Sequence, residues 1–378
     1  MILTPPPAPA GVAAPLFIGS EVYRGSSYGS RHPLRVPRVS TVMDLARALG
    51  WLPTDRFRTS PRAKPAALAL WHQPDYIAAL QTAETLGEAT PEMRERFHLG
   101  TLSNPVFPQV YRRPATGAGG VMLAAELLSL TPGVIHVPGG GTHHGLPGRA
   151  NGFCYLNDVV LGIKVLQRSL TRIAYVDLDA HHCDGVDLAF AGDPGVRLIS
   201  VHEEGRWPFT GALDDTSGGS AFNLPVPKHY NDSEARAVLH GLILPRVAEF
   251  RPEALVLQCG ADSLLEDPLS RLALSNRAYL EAIRALLPMA PRVLVLGGGG
   301  YNPWSVGRLW TAIWGVLSGQ ELPDHLPEAA QVVLKALDWG GGGRAAPEAV
   351  LWSTLLDAPR EGPVRSDIRE RLAVLARR

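Results

Sequence analysis

The stretch I-A-Y-V-D-L-D-A-H-H-C-D-G, residues 173 to 185, opens as an apolar run and closes on a crowd of carboxylates and imidazoles. Such an opening reads as a strand buried on both faces, the kind found in parallel sheets covered by helices. Comparable runs occur at V-I-H-V (134 to 137), V-R-L-I-S-V (196 to 201), A-L-V-L-Q (254 to 258) and V-L-V-L (293 to 296). Amphipathic helical patterns lie between them, for example N-D-V-V-L-G-I-K-V-L at 157 to 166. This alternation predicts right-handed crossovers and an α/β fold: a single domain with an open, mostly parallel sheet and helices on both faces.

The rest of the chain of 378 residues agrees with one large soluble domain, since 46% of it is hydrophobic and 19% charged. Basic and acidic residues balance at 36 each, so the electrostatic footprint of a nucleic-acid binder is missing. Cys154, Cys183 and Cys259 have no C-x-x-C spacing, which argues for reduced thiols and a cytoplasmic setting. The opening M-I-L-T-P-P-P has no basic leader, and no apolar run reaches the ~18 residues of a membrane span. Residues 1 to 16 are expected to be a flexible proline-rich tail, 17 to 339 the main domain, and 340 to 378 a glycine-rich segment with a helical surface appendage. The aromatic stripe of V-G-R-L-W-T-A-I-W-G-V-L-S-G, 306 to 319, reads as core packing.

In an open parallel sheet the ligand crevice lies outside the carboxyl ends of the strands. Four strands here run into reactive residues: P-G-G-G-T-H-H-G after 137, D-L-D-A-H-H-C-D-G after 176, Q-C-G-A-D after 257 and G-G-G-G-Y after 296. Asp177, Asp179 and His181 alternate, so on an extended chain they face one side. Clustered charges of this kind call for a neutralising cation, and the donor types suit zinc or another borderline divalent ion. Asp179 and His181 supply two ligands, with Asp262 the best third; a helix N-cap is the competing reading of Asp262. His143 and His144 follow a glycine run, with Asp177 and Asp184 available to fix one imidazole each. His182 is read as structural.

The motifs H-H-G…G-F-C-Y-L-N-D (143 to 158), D-L-D-A-H-H-x-D-G (177 to 185), G-A-D (260 to 262) and G-G-G-G-Y-N (297 to 302) together resemble the zinc-dependent histone deacetylase family. The resemblance runs from H-P-L-R-V-P-R at 32 to 38 through S-G-Q-E-L-P at 318 to 323 and is nearest the bacterial acetoin-utilisation type. It implies an arginase/deacetylase-like domain that removes acetyl or other short acyl groups from lysine side chains of proteins. It also implies Asp179, His181 and Asp262 as ligands of Zn2+, with Fe2+ as an alternative ion. His144 would be general base and then acid, with His143 its electrostatic partner; Asp177 would orient His143 and Asp184 would orient His144. Tyr301 would donate to the developing oxyanion. Gly152, Phe153 and Leu269 match the acyl-lysine channel, Trp207 and Phe209 compete for its other aromatic wall, and Arg38 matches an internal arginine of the acetate-release region. A K+ site is implied at Asp177, Asp179, His181, Ser200 and the backbone of Val201.

Two departures stand out. Cys183 replaces a family glycine, which matters if that backbone needs a positive φ. Ser103 replaces an acidic rim residue, so substrate amides lose a charge-assisted acceptor. Rival readings are an acetylpolyamine or other small acylated-amine deacetylase, with Glu203 and Glu204 as a source of entrance charge and Leu269 in the gatekeeper position; a dinuclear ureohydrolase, for which Cys183 and Gly260 stand where ligands are needed; a non-enzymatic acyl-lysine binder; and thiol catalysis through Cys154.

Overall fold

The computed structural model describes residues 13–30, 32–339 and 347–378. Eight strands, β1 (Ala13–Gly19), β2 (Phe57–Thr59), β3 (Gly133–Val137), β4 (Ile173–Asp177), β5 (Val196–Glu203), β6 (Ala221–Val226), β7 (Ala254–Gln258) and β8 (Arg292–Leu296), form one sheet in the order β2-β1-β3-β8-β7-β4-β5-β6. Every neighbouring pair is parallel. The period of two shows directly in β4: Ala174 and Val176 join the core on one face, and Ile173 and Tyr175 the core on the other. The first core packs beneath the helices Val39–Ala48, Asn276–Leu286 and Pro303–Leu317, and the second beneath Arg112–Leu130 and Asp158–Leu166.

The expected alternation named five of these strands. Of the others, β1 carries Pro15, which cannot donate to the ladder, and its register against β3 shifts between Ala13 and Leu16. β6 carries Pro225 and lies at the sheet's edge, where proline is tolerated. The proposed tail therefore overlaps ordered structure: residues 1 to 12 lie outside the described part, but 13 to 16 begin β1.

The C-terminal segment also departs from its expected role as a surface appendage. A helix does form at Ser366–Ala376, but its Ile368 and Leu375, seven residues apart and so on one face, are fully buried in the main core together with Leu355. Ahead of that helix, Asp357 pairs with the buried Arg308 at 2.6 Å. The glycine run at 340 to 343 lies outside the described residues.

The aromatic stripe packs as the helix Pro303–Leu317, with Trp310 and Trp314 fully buried. Their indole N–H groups donate to the carbonyls of Cys259 (2.8 Å) and Trp51 (2.9 Å). The first of these bonds fixes the backbone just beyond β7, where the chain turns toward Asp262.

Candidate active site

β4 and β7 are neighbours, with Asp177 opposite Gln258, so the loops leaving their carboxyl ends emerge side by side. Along the β4 loop the side chains brace the backbone: the Asp179 N–H donates to Asp177 Oδ1 at 2.9 Å, and the His181 N–H to Asp179 Oδ1 at 3.0 Å. Asp262 lies in a short helical turn after β7, and its Oδ1 accepts from the Ala180 N–H at 3.0 Å. That bond joins the two loops. It also resolves the local reading of Asp262, because its carboxylate turns to the opposite loop instead of capping its own.

Asp179, His181 and Asp262 each offer a ligand atom, and these atoms lie within 4.8 Å of one another. His181 Nδ1 is 3.2 Å from Asp179 Oδ1 and 2.9 Å from Asp262 Oδ2. Glycine makes this crowding feasible: a Cβ on Gly260 would fall 2.0 Å from Asp179 Oδ2, and one on Gly299 would fall 2.2 Å from Asp262 Oδ2. The Gly299 N–H also donates to Asp179 Oδ2 at 2.7 Å.

The electrostatics of the three groups favour a positive charge among them. Burial and the neighbouring Asp179 charge raise Asp262. Burial opposes the charge on His181, yet its bonds to Asp179 and Asp262 raise it to about 10. A proton held that firmly between two buried carboxylates occupies the place a cation would take. Two carboxylates and an imidazole also form the three-ligand donor set of a zinc-type catalytic site, so the residues fit the ion.

Beside this cluster, the loop after β3 brings the paired imidazoles. His143 Nδ1–H donates to Asp177 Oδ2 at 2.7 Å, and His144 Nδ1–H to Asp184 Oδ1 at 2.6 Å. These bonds leave both Nε2 atoms facing each other, 3.0 Å apart, so only one can carry a proton there. Burial resists a charge on His143, but Asp177 and Asp179 raise it to about 9. Burial and the charge of His143 lower His144 to about 4. The pair therefore divides into a protonated donor and a neutral base.

Tyr301 follows the glycine run after β8. Its phenol is pushed up by burial and by the charges of Asp262 and Asp179, so it stays protonated. Its backbone N–H donates to Asp267 Oδ2 at 2.7 Å, and the same carboxylate accepts the Leu269 N–H at 2.9 Å. Phe153 meets Tyr301 edge to face at 5.9 Å. Leu269 and Tyr301 share the lining of a cavity of about 260 Å³ with His32, Arg35 and Trp339.

Of the two candidate aromatic walls, Trp207 lies against the site, 4.6 Å from the His144 ring, whereas Phe209 is 74% exposed. Trp207 is thus the ring that packs beside His144, with Phe209 open to solvent farther out. Gly152 has φ +53, and a Cβ there would meet the Trp207 ring at 2.2 Å. Ser103 is exposed at the rim, its carbonyl 3.2 Å from His32 Nε2. Arg38 donates to the Gly298 carbonyl at 2.6 Å and lies over the Trp310 ring. Asp177 and Ser200 are opposite each other in the β4–β5 ladder, with Val201 next along β5.

His182 bonds Thr210 Oγ1 at 2.8 Å and Asn223 Oδ1 at 3.1 Å, a buried structural set. Cys183 has φ −80, so the backbone accepts a side chain where the family has glycine. Burial raises the thiols of Cys154, Cys183 and Cys259 far from ionisation, which removes the basis for thiol catalysis.

Sequence reading passed over several contributors. Asn151 donates to Asp184 Oδ2 at 2.9 Å and to the His144 carbonyl at 3.2 Å. The Tyr175 hydroxyl donates to Asp177 Oδ2 at 2.5 Å, a partner detectable from their spacing of two on one strand. Asp158 accepts the Gly141 N–H at 2.7 Å and so shapes the loop leading to His143.

Residues 32–317 match the histone deacetylase domain. The chain is 34% identical over 309 residues to "Putative histone deacetylase 2" of Caenorhabditis elegans, covering 79% of this chain and 61% of that protein. It is 32% identical to "Acetoin utilization protein AcuC" of Bacillus subtilis, over 82% of this chain and 84% of AcuC. The solved structure of an HDAC homologue from Aquifex aeolicus superposes with a TM-score of 0.90 at 36% identity, covering 96% of this chain and all of that one. A matched domain that spans the loops after β3, β4, β7 and β8, on a fold that superposes over 96% of the chain, makes this chain a member of the histone deacetylase family, of the arginase/deacetylase superfamily and AcuC-like.

Proposed function

We propose that the protein is a metal-dependent deacylase that hydrolyses the amide of acetylated, or otherwise short-acylated, lysine side chains of proteins. The observation that carries this reading is the convergence of Asp179, His181 and Asp262 beside the paired imidazoles of His143 and His144, each held by its own carboxylate. Asp179, His181 and Asp262 would hold a divalent cation, Zn2+ or alternatively Fe2+, which would supply Lewis acidity at the site. His144 Nε2, its Nδ1–H committed to Asp184, takes the proton from the attacking water and later returns it to the departing amine. His143, held by Asp177, keeps its charge and restrains His144 from premature protonation. Tyr301 donates its phenolic proton in a hydrogen bond to the oxygen as charge develops there. Phe153, Trp207, Gly152 and Leu269 are the walls for the aliphatic lysine stem, with Ser103 at the rim. Asp177, Asp179, His181, Ser200 and Val201 are the place for a K+ ion, which would offset carboxylate charge.

The small-amine alternative needs negative charge at the entrance to greet a polycation. Glu203 is buried and bound by Arg206 (2.5 Å) and by the Arg271 N–H (2.8 Å), while Glu204 pairs with Arg371 at 3.0 Å. With both acids engaged and Leu269 at the gatekeeper position, acyl-lysine remains the favoured substrate. The three cysteines are free and buried, which suits a reducing cytoplasm. No helix among the described residues is long and apolar enough to cross a membrane.

The test is a metal-defined assay of acetyl-lysine peptides against acetylpolyamines, with Asp262→Ala as the inactive control. Turnover of the peptides that vanishes in the control supports the proposal. Preferential turnover of acetylpolyamines would replace the substrate class, and no turnover of any acylated amine by zinc-loaded protein would favour a non-enzymatic binder.

A further inference from the structure

We infer that Tyr279 is a positioning residue for the metal centre, tying its two ligand-bearing loops together from beneath; this rests on the metal reading of Asp179, His181 and Asp262. Tyr279 lies on the helix Asn276–Leu286, and its side chain is buried against the sheet. Its hydroxyl is 2.9 Å from the Leu178 carbonyl and is hydrogen-bonded to the Gly260 carbonyl. Leu178 separates Asp177 from Asp179, and Gly260 stands two residues before Asp262. One side chain outside both loops therefore touches the backbone that presents the carboxylate ligands.

The proton count assigns the bonds. A phenol has one proton to donate. The Gly260 carbonyl is the nearer acceptor, and the Leu178 carbonyl keeps a donor in Ser263 Oγ at 3.0 Å when the Tyr279 proton goes to Gly260. Gly260 has no room to spare, since its Cα hydrogen faces Asp179 Oδ2 so closely that a Cβ would fall 2.0 Å from it. Any drift of Gly260 thus alters the gap between Asp179 and Asp262 directly. The Tyr279 ring has a separate task, lining an apolar cavity with Leu178, Val201, Leu239 and Leu274. Tyr279→Phe keeps the ring and removes the alignment alone.

The experiment is competition for zinc between the full-length protein and a chromophoric chelator, for wild type and Tyr279→Phe. Loss of a partner that orients ligands costs ~10- to 100-fold in metal affinity, so the zinc dissociation constant of the variant should rise by about tenfold or more. Its denaturation midpoint without metal should match wild type, and kcat should fall more than KM changes. Ser263→Ala should show a smaller rise, because it removes a donor to the Leu178 carbonyl and leaves the Tyr279 bond to Gly260 in place. A wild-type dissociation constant in Tyr279→Phe overturns the inference, as does an affinity loss matched by a lower midpoint of the metal-free protein. Wild-type protein that takes up no divalent ion overturns the metal reading itself, and this inference with it.

Discussion

At the floor of the site, Asp179 accepts the Gly299 N–H at 2.7 Å and Asp262 the Ala180 N–H at 3.0 Å, whereas at the rim Phe209 is 74% exposed and Ser103 lies open to solvent. The floor is over-determined: each carboxylate is held by backbone donors, and glycine is required where the loops touch. The rim is a set of side chains on longer loops, whose positions depend on contacts made far away in the sequence. The proposed function assigns chemistry to the first region and substrate choice to the second. If that division holds, substitutions in the floor should act on kcat and those in the rim on KM.

The largest expected effect is at the floor's ligands. Asp262→Ala should abolish activity together with metal binding, measured by turnover and metal content on the same sample. Next come the proton donor and the base. Tyr301→Phe removes one oxyanion donor and should lower kcat by ~10²- to 10³-fold with folding intact, checked by steady-state kinetics and circular dichroism. His144→Ala removes a general base, a loss of typically ~10²- to 10⁴-fold. At the rim, Trp207→Ala should raise KM for acyl-lysine peptides more than it lowers kcat. A charge-assisted acceptor restored by Ser103→Asp should lower peptide KM severalfold and leave a small acylated amine unaffected. A kcat collapse from either rim change would erase the division.

The smallest effect concerns histidines away from the site. Burial, partly offset by the bond to the Leu146 carbonyl, lowers His72 to about 4; burial, partly offset by backbone bonding at Val295, does the same for His136. Both are therefore neutral in the folded state at pH values where the unfolded chain would already bind a proton. The stability they contribute is complete above about pH 6.5 and is lost as the pH falls toward 4. Ring resonances that stay in the neutral form down to about pH 4, followed by NMR, would agree; titration near 6.5 would contradict the account. His143, raised by two carboxylates, is the contrasting case within the floor.

The same division explains what the sequence made legible. Floor residues sit within a few positions of strand ends, so a period of two and a strand boundary suffice to place Asp177, Asp179 and His181 on one side of one loop. Choosing Trp207 over Phe209 requires knowing how a loop folds back on His144, and no local pattern carries that. The engagement of Glu203 by Arg206 and Arg271 is of the same long-range kind. β1 and β6 were masked by prolines that their irregular and edge positions tolerate. At the C-terminal segment a glycine run suggests separation, while the burial of Ile368 and Leu375 depends on a core built from the rest of the chain.

The central claim is that a single metal ion is held by Asp179, His181 and Asp262. Elemental analysis of protein equilibrated with zinc and freed of excess tests it most directly, run in parallel on wild type and Asp262→Ala. The account predicts about one ion per chain in the wild type, as for a three-ligand catalytic site, and almost none in the variant. Two tightly held ions per chain, or equal zinc in both proteins, would contradict it.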